Sequence, residues 1–163
     1  MKDNKKMQLI SGLNMTPHPE GGYYSETYRS TLTTEGRELY SSIYFLLETG
    51  NISHFHRIDA DELWYFHGGD ALTLHMIMAD GTYQYVKLGL DVLNGEVPQF
   101  LVPKNTIFAS TVEADHEWSL VGCMVSPGFK FETFELFTQD ELLKIYPEHE
   151  ALILKYALKE IRD

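Results

Sequence analysis

Cysteine is nearly absent. The single thiol, Cys123, lies in the apolar run "SLVGCMV", which excludes an intramolecular disulfide and points to a buried structural thiol. Basic residues are scarce: 13 Lys and Arg stand against 24 Asp and Glu, for a formal charge of -11. So few cations exclude a broad phosphate-binding surface, so nucleic acid is not an expected partner and the acidic surface serves solubility. Long apolar runs are missing too. Nothing approaches the roughly 18–20 residues of a bilayer span, and the charged opening "MKDNKK" leads into no sustained apolar core. No membrane partner is expected, and the expected location is cytoplasmic. Linkers, low-complexity tracts and solenoid-period repeats are also lacking, so residues 1–163 read as one domain.

What is present favours sheets. Hydrophobic residues make up 44% and aromatics 13%, with 10 Tyr and 9 Phe, a mixture suited to half-buried strands. Met7, Ile10 and Leu13 recur at helical spacing, so a helix is expected over about 5–13, with Gly12 as its stop. Two prolines and Gly21-Gly22 in "TPHPEGGYYSETYRS" set a turn before a Tyr- and Thr-rich strand. Short β-type runs follow to about residue 137, the last being "FKFETFEL", separated by Gly, Asn, Asp and Pro turns. Thr138 and Glu141 make a capping box, and Pro147 opens a stretch in which Ala151, Leu154, Leu158 and Ile161 share a face. C-terminal helices are therefore expected over about 139–161. The class is mainly β, an antiparallel β-sandwich of jelly-roll type with short helices at the N- and C-termini.

Two stretches carry candidate chemistry. In "SHFHRIDADELWYFHGGD", His54 and His56 leave one face of an extended segment while Phe55 points away. Glu62 shares a strand face with Trp64 and Phe66, and the "RIDAD" loop has to fold it back toward the histidines. Two imidazoles and a carboxylate suffice to hold Fe, Mn, Ni or Zn as divalent ions with positions left open. Without a metal, the same groups in an aromatic cavity have their pKa values tuned toward acid and base work. In "PEGGYYSETYRS", alternation places Tyr24, Glu26 and Tyr28 on one face and Arg29 on the other. A Glu26 buried among aromatics needs a partner, either Arg29 or a ligand hydroxyl. His18, His67 and His149 are assigned no chemistry, and His75 reads as structural.

The sequence resembles the cupin superfamily. Gly50, His54, His56, Glu62 and Gly69 fill its first motif, with a His56–Glu62 gap one or two residues longer than the general pattern. The stretches "PHPEGGYYSETYRS", "SSIYFLL", "FLVPKNTIFA" and "SLVGCMVSPGFKFETFEL" resemble in particular the poorly characterised DUF985, or cupin_5, subfamily, from about Ile10 to Tyr146. The second motif departs from the superfamily: Phe108 stands where a fourth ligand histidine is expected, so a three-His-one-Glu metal centre cannot be assembled from the motif positions. His116, His75 or water would have to complete the shell.

The resemblance implies a homodimeric jelly roll whose barrel mouth binds a small polar or sugar-like molecule, read by Tyr24, Glu26, Tyr28, Arg29, Glu62, Trp64 and Phe108. A looser similarity to the deoxysugar epimerases of the superfamily implies metal-free proton transfer, with His54 or His56 as base and a tyrosine as acid. Three expectations follow: a metal-independent isomerase or epimerase, a metal-dependent enzyme using His54, His56 and Glu62, or a non-catalytic metabolite-binding module.

Overall fold

Runs of alternating apolar residues pair into two antiparallel sheets in the computed structural model, which describes residues 2–113 and 115–161. In chain order the elements are α1 (Lys2–Gly12), β1 (Thr16–Pro17), β2 (Tyr23–Arg29), β3 (Thr33–Thr34), β4 (Arg37–Glu38), β5 (Ser41–Glu48), β6 (Ser53–Arg57) and β7 (Asp61–Gly69). They continue as β8 (Leu72–Ile77), β9 (Tyr83–Leu88), β10 (Gln99–Val102), β11 (Ile107–Val112), β12 (Trp118–Ser126), β13 (Glu135–Leu136), α2 (Gln139–Ile145) and α3 (Glu150–Tyr156). Among the described residues one sheet runs β1-β2-β5-β12-β7-β10 and the other β13-β6-β11-β8-β9.

The period of two decides what each face buries. Along β8, Leu72, Leu74 and Met76 enter the core between the sheets with Phe45, Trp64, Phe108 and Val121. Ile77 faces the other way, onto an outer cluster where Phe55, Ile107, Leu142 and Ile153 seat α2 and α3 against the second sheet. Leu9, Ile10 and Leu13 from the N-terminal helix and its exit lie over Leu46 and Leu120 on the outside of the first sheet. No helix of the described residues is long and apolar enough to cross a membrane.

Two expectations need correction. The run "FKFETFEL" forms a 3-10 turn at Phe131–Thr133 and only the short β13, because its backbone is captured elsewhere. Arg37 Nε donates to the Gly128 carbonyl at 2.7 Å, Arg29 Nη1 to the Phe129 carbonyl at 3.1 Å, and Gly128 N–H to Glu38 at 2.9 Å. The capping box at Thr138 forms as read, but α3 ends at Tyr156 and buries Ile153, with Ala157 just beyond it. Leu154 and Ile161 remain on the surface, since α3 docks through Ile153 and ends before Ile161.

Gly21 fixes how the chain enters β2. Its φ is +114°, and a Cβ there would lie 1.9 Å from the Ile52 carbonyl oxygen, which is backbone and cannot yield. Gly21→Ala is therefore expected to lower stability by at least about 2 kcal/mol in denaturant unfolding, whereas Gly36→Ala, strained at φ +77° but facing open space, costs less.

Candidate functional site

A cavity of about 290 Å³ opens between the sheets at the end where β2, β6, β7 and β12 converge. Strand β2 supplies Tyr24, Glu26 and Arg29, β6 His56, β7 Glu62, and β12 Cys123. The segment captured by Arg29 and Arg37 adds Phe129, Phe131 and Phe134, whose rings meet edge-on or tilted. The turn before β2 adds His18 and Glu20.

Glu20 and His56 form a buried ion pair, with Oε2 2.9 Å from Nε2 and exposures of 7% and 3%. The other ring nitrogen of His56 is also taken: Nδ1 lies 2.7 Å from the His54 carbonyl and must carry a proton to donate there. Backbone bonds hold the carboxylate's own residue in place. The Glu20 carbonyl accepts from His54 N–H at 2.7 Å and faces His54 Nδ1 at 2.8 Å. Burial alone would push His56 down, but the Glu20 charge, its hydrogen bond and the His54 carbonyl carry it above its ordinary value. Burial would push Glu20 up, yet His56 and then His18 hold it below the usual carboxylate range.

His18 is a different case. Its Nδ1 accepts from Glu20 N–H at 3.2 Å, which places the neutral ring's proton on Nε2. Burial lowers its pKa, with Glu20 opposing and His56 adding to the fall. Tyr24 packs edge-on against it, with centroids 4.7 Å apart.

Glu62 has no such counterion. It pairs across the sheet with Val125, which sets it diagonal to Cys123, and the thiol hydrogen-bonds to it. Burial and the nearby Glu20 charge push its carboxyl up to about 7, with His56 pulling the other way. Burial and these same two carboxylates push the Cys123 thiol well up, so it stays protonated. The cavity thus sets a charged pair beside a carboxyl that gains or loses a proton near neutrality.

The alternation expected on two strands is broken by irregular register. Between Glu26 and Tyr28 the pairing of β2 with β5 shifts by one residue, so Arg29 joins Tyr24 and Glu26 at the cavity and Tyr28 is 73% exposed outside it. Between β6 and β11, three residues of β6 span two of β11, so His54 and His56 do not share a wall. Trp64 and Phe108 lie in the core: the Phe108 ring packs 4.2 Å from His56 and 6.0 Å from Trp64.

His54, His56 and Glu62 do not assemble the expected metal set. The His54 ring is turned to a carbonyl, His56 is spent on Glu20 and a carbonyl, and Phe108 fills the place of a fourth ligand. Nor do the alternative histidines help. His75 is on the outer face, bonded to Tyr83 and Thr111 at 2.8 Å each, and His116 is in a loop beside Asp115. Among the described residues no group of three or more His, Cys, Asp or Glu is arranged to hold a metal ion. The usual three-His-one-Glu centre does not fit this cavity.

Sequence reasoning passed over His18, Glu20 and the phenylalanine trio. The signal was the "HPEGG" turn, where two glycines of positive φ let the chain fold an acid and an imidazole under the first sheet.

Two antiparallel sheets enclosing this cavity define a cupin-type β-sandwich. The chain belongs to the DUF985 family of the cupin superfamily, whose family model matches residues 7–137. It is 30% identical over 165 residues to an uncharacterised protein of Saccharomyces cerevisiae, covering 88% of this chain and 82% of that one. A hypothetical protein from Leishmania major superposes with a TM-score of 0.90 at 42% identity, covering 93% of this chain and 98% of that one. A Shewanella oneidensis protein does so at 0.89 and 52%, covering 94% and 97%. Bacillus subtilis oxalate decarboxylase, at 14% identity and TM-score 0.60 over 93% of this chain and 39% of that one, shares the fold alone.

The raised carboxyl of Glu62 has a sign that can be tested. Its folded value of about 7 exceeds the ordinary 4.5, so the native state holds the extra proton between these limits and loses stability as pH rises through them. Glu62→Gln removes that loss. The variant is expected to gain on the order of 2–3 kcal/mol over wild type between about pH 4.5 and pH 8, read from urea unfolding at each pH.

Proposed function

We propose that the cavity binds a small polar, sugar-like molecule and moves a proton on it without a metal, as an isomerase or epimerase does. The observation that carries this reading is Glu62, a buried carboxyl poised near neutrality on the cavity wall, beside an ion pair that stays charged. A general acid or base works best when its pKa lies near the operating pH.

The roles differ from a histidine base. His56 has both nitrogens engaged, so it serves to fix and balance Glu20, while Glu62 takes or returns the proton. Tyr24, on the cavity wall against His18, is the candidate donor to a carbonyl oxygen, and the His18 Nε2–H is a second. Phe129, Phe131 and Phe134 supply apolar faces on which a sugar ring stacks through its C–H surface.

One observation favours a second reading, non-catalytic recognition of a metabolite. The same engagement of His56 that fixes Glu20 also leaves that imidazole without a free nitrogen to accept a proton.

Incubation in heavy water separates the two. Wild type is expected to place deuterium on a carbon of the sugar it turns over, and Glu62→Gln to lower kcat by about a hundredfold or more with KM changed only a few-fold. A ligand that raises thermal stability but returns unlabelled and unchanged would support the binding reading instead.

A further inference from the structure

The charge that a ligand can carry is limited by what the cavity has already paired. Arg29 brings the guanidinium on the cavity wall, and each of its three nitrogens is already engaged. Nε donates to Glu26 Oε1 at 3.0 Å and Nη2 meets the same oxygen. Nη1 donates to the Phe129 carbonyl at 3.1 Å and lies 3.5 Å from Glu38 Oε2 in the adjoining groove. His56, the other cation, is closed by Glu20 and the His54 carbonyl. No lysine is among the described residues that line the cavity.

Carboxylates outnumber these cations. Glu20, Glu26 and Glu62 face one space, and Glu62, 7% exposed, has the Cys123 thiol beside it and no ion-pair partner among the described residues. A phosphate or carboxylate entering here has to displace Glu26 and Glu38 from Arg29 and then face Glu62 where water does not screen it. A hydroxyl meets the opposite situation, because its proton satisfies a Glu62 oxygen and its carbon skeleton lies against the phenylalanines.

We infer that the ligand of this cavity is a hydroxyl-rich, sugar-sized molecule that bears no phosphate, carboxylate or other anionic group. The inference rests on the cavity being the ligand site proposed above and narrows it: free sugars and polyols enter, sugar phosphates and nucleotide-linked sugars do not. Glu26 and Glu38 become specificity-determining residues through their hold on Arg29.

The test is calorimetry and thermal shift on the full chain with free hexoses, their 1- and 6-phosphates and one nucleotide-linked hexose. At least one free hexose is expected to bind about tenfold or more tightly than its phosphates. In Glu26→Gln/Glu38→Gln, which frees Arg29, phosphate-bearing sugars are expected to gain about tenfold. Both changed residues are partly exposed, and the unliganded melting temperature checks that the variant folds. A phosphorylated or nucleotide-linked sugar that binds wild type as tightly as its free counterpart overturns the inference, as does a panel in which no free hexose binds.

Failure here is distinguishable from failure of the functional reading. A sugar phosphate that binds and exchanges deuterium overturns the charge argument and leaves proton transfer standing. A free sugar that binds without exchange does the reverse.

Discussion

Glu20 and His56 reach the cavity from different parts of the chain, one from a glycine turn and one from a strand of the opposite sheet, and neither charge is tolerable there alone. Removing one partner of such a pair strands the other in a low-dielectric interior, at a typical cost of about 3–5 kcal/mol. The fold answers that constraint with backbone bonds. The Glu20 carbonyl is bonded by His54 N–H and faces the His54 ring, and His56 Nδ1 donates to the His54 carbonyl, so the turn and β6 are clasped in several places at once. His54 is thereby a positioning residue for Glu20.

The state of the rest of the cavity follows from the pair. Burial, and after it the ionised Glu20, raises Glu62 so that it is held partly protonated; burial, and after it Glu62, raises the Cys123 thiol. The stabilisation from the pair has a defined pH window. Glu20 lies below its unfolded value, so its share is lost as pH falls through the folded value. His56 lies above its unfolded value, so its share is lost as pH rises through the folded value. Between those limits the cavity combines fixed charge, one mobile proton and aromatic walls, and with Arg29 already claimed by two glutamates it offers little to an anion.

The sheets were legible in the sequence because their signal is periodic and local. Leu72, Leu74 and Met76 alternate with Thr73, His75 and Ile77, and a one-residue change of phase would turn them all out of the core between the sheets. The same rule misplaced Tyr28 and paired His54 with His56, because irregular register adds a residue to one strand and no composition rule marks it. Glu62 was legible as a candidate since it opens a strongly patterned strand, and it does line the cavity. Glu20 was not, because its role depends on contacts with residues 54 and 56 that only the folded topology supplies. The run at 129–136 looked like a strand by composition, but two arginines far off in sequence hold the carbonyl of its first residue, Phe129, and that of Gly128 just before it.

The central claim is that the buried pair keeps Glu20 charged and leaves Glu62 as the carboxyl that titrates near neutrality. Carbon-13 NMR of glutamate side-chain carboxyls across pH, assigned with Glu20→Gln and Glu62→Gln, tests it most directly. One resonance should titrate close to pH 7 and vanish in Glu62→Gln, while another, lost in Glu20→Gln, should stay ionised below the ordinary carboxylate range. Carboxyls that all titrate together near the ordinary glutamate value of 4.5 would contradict the account.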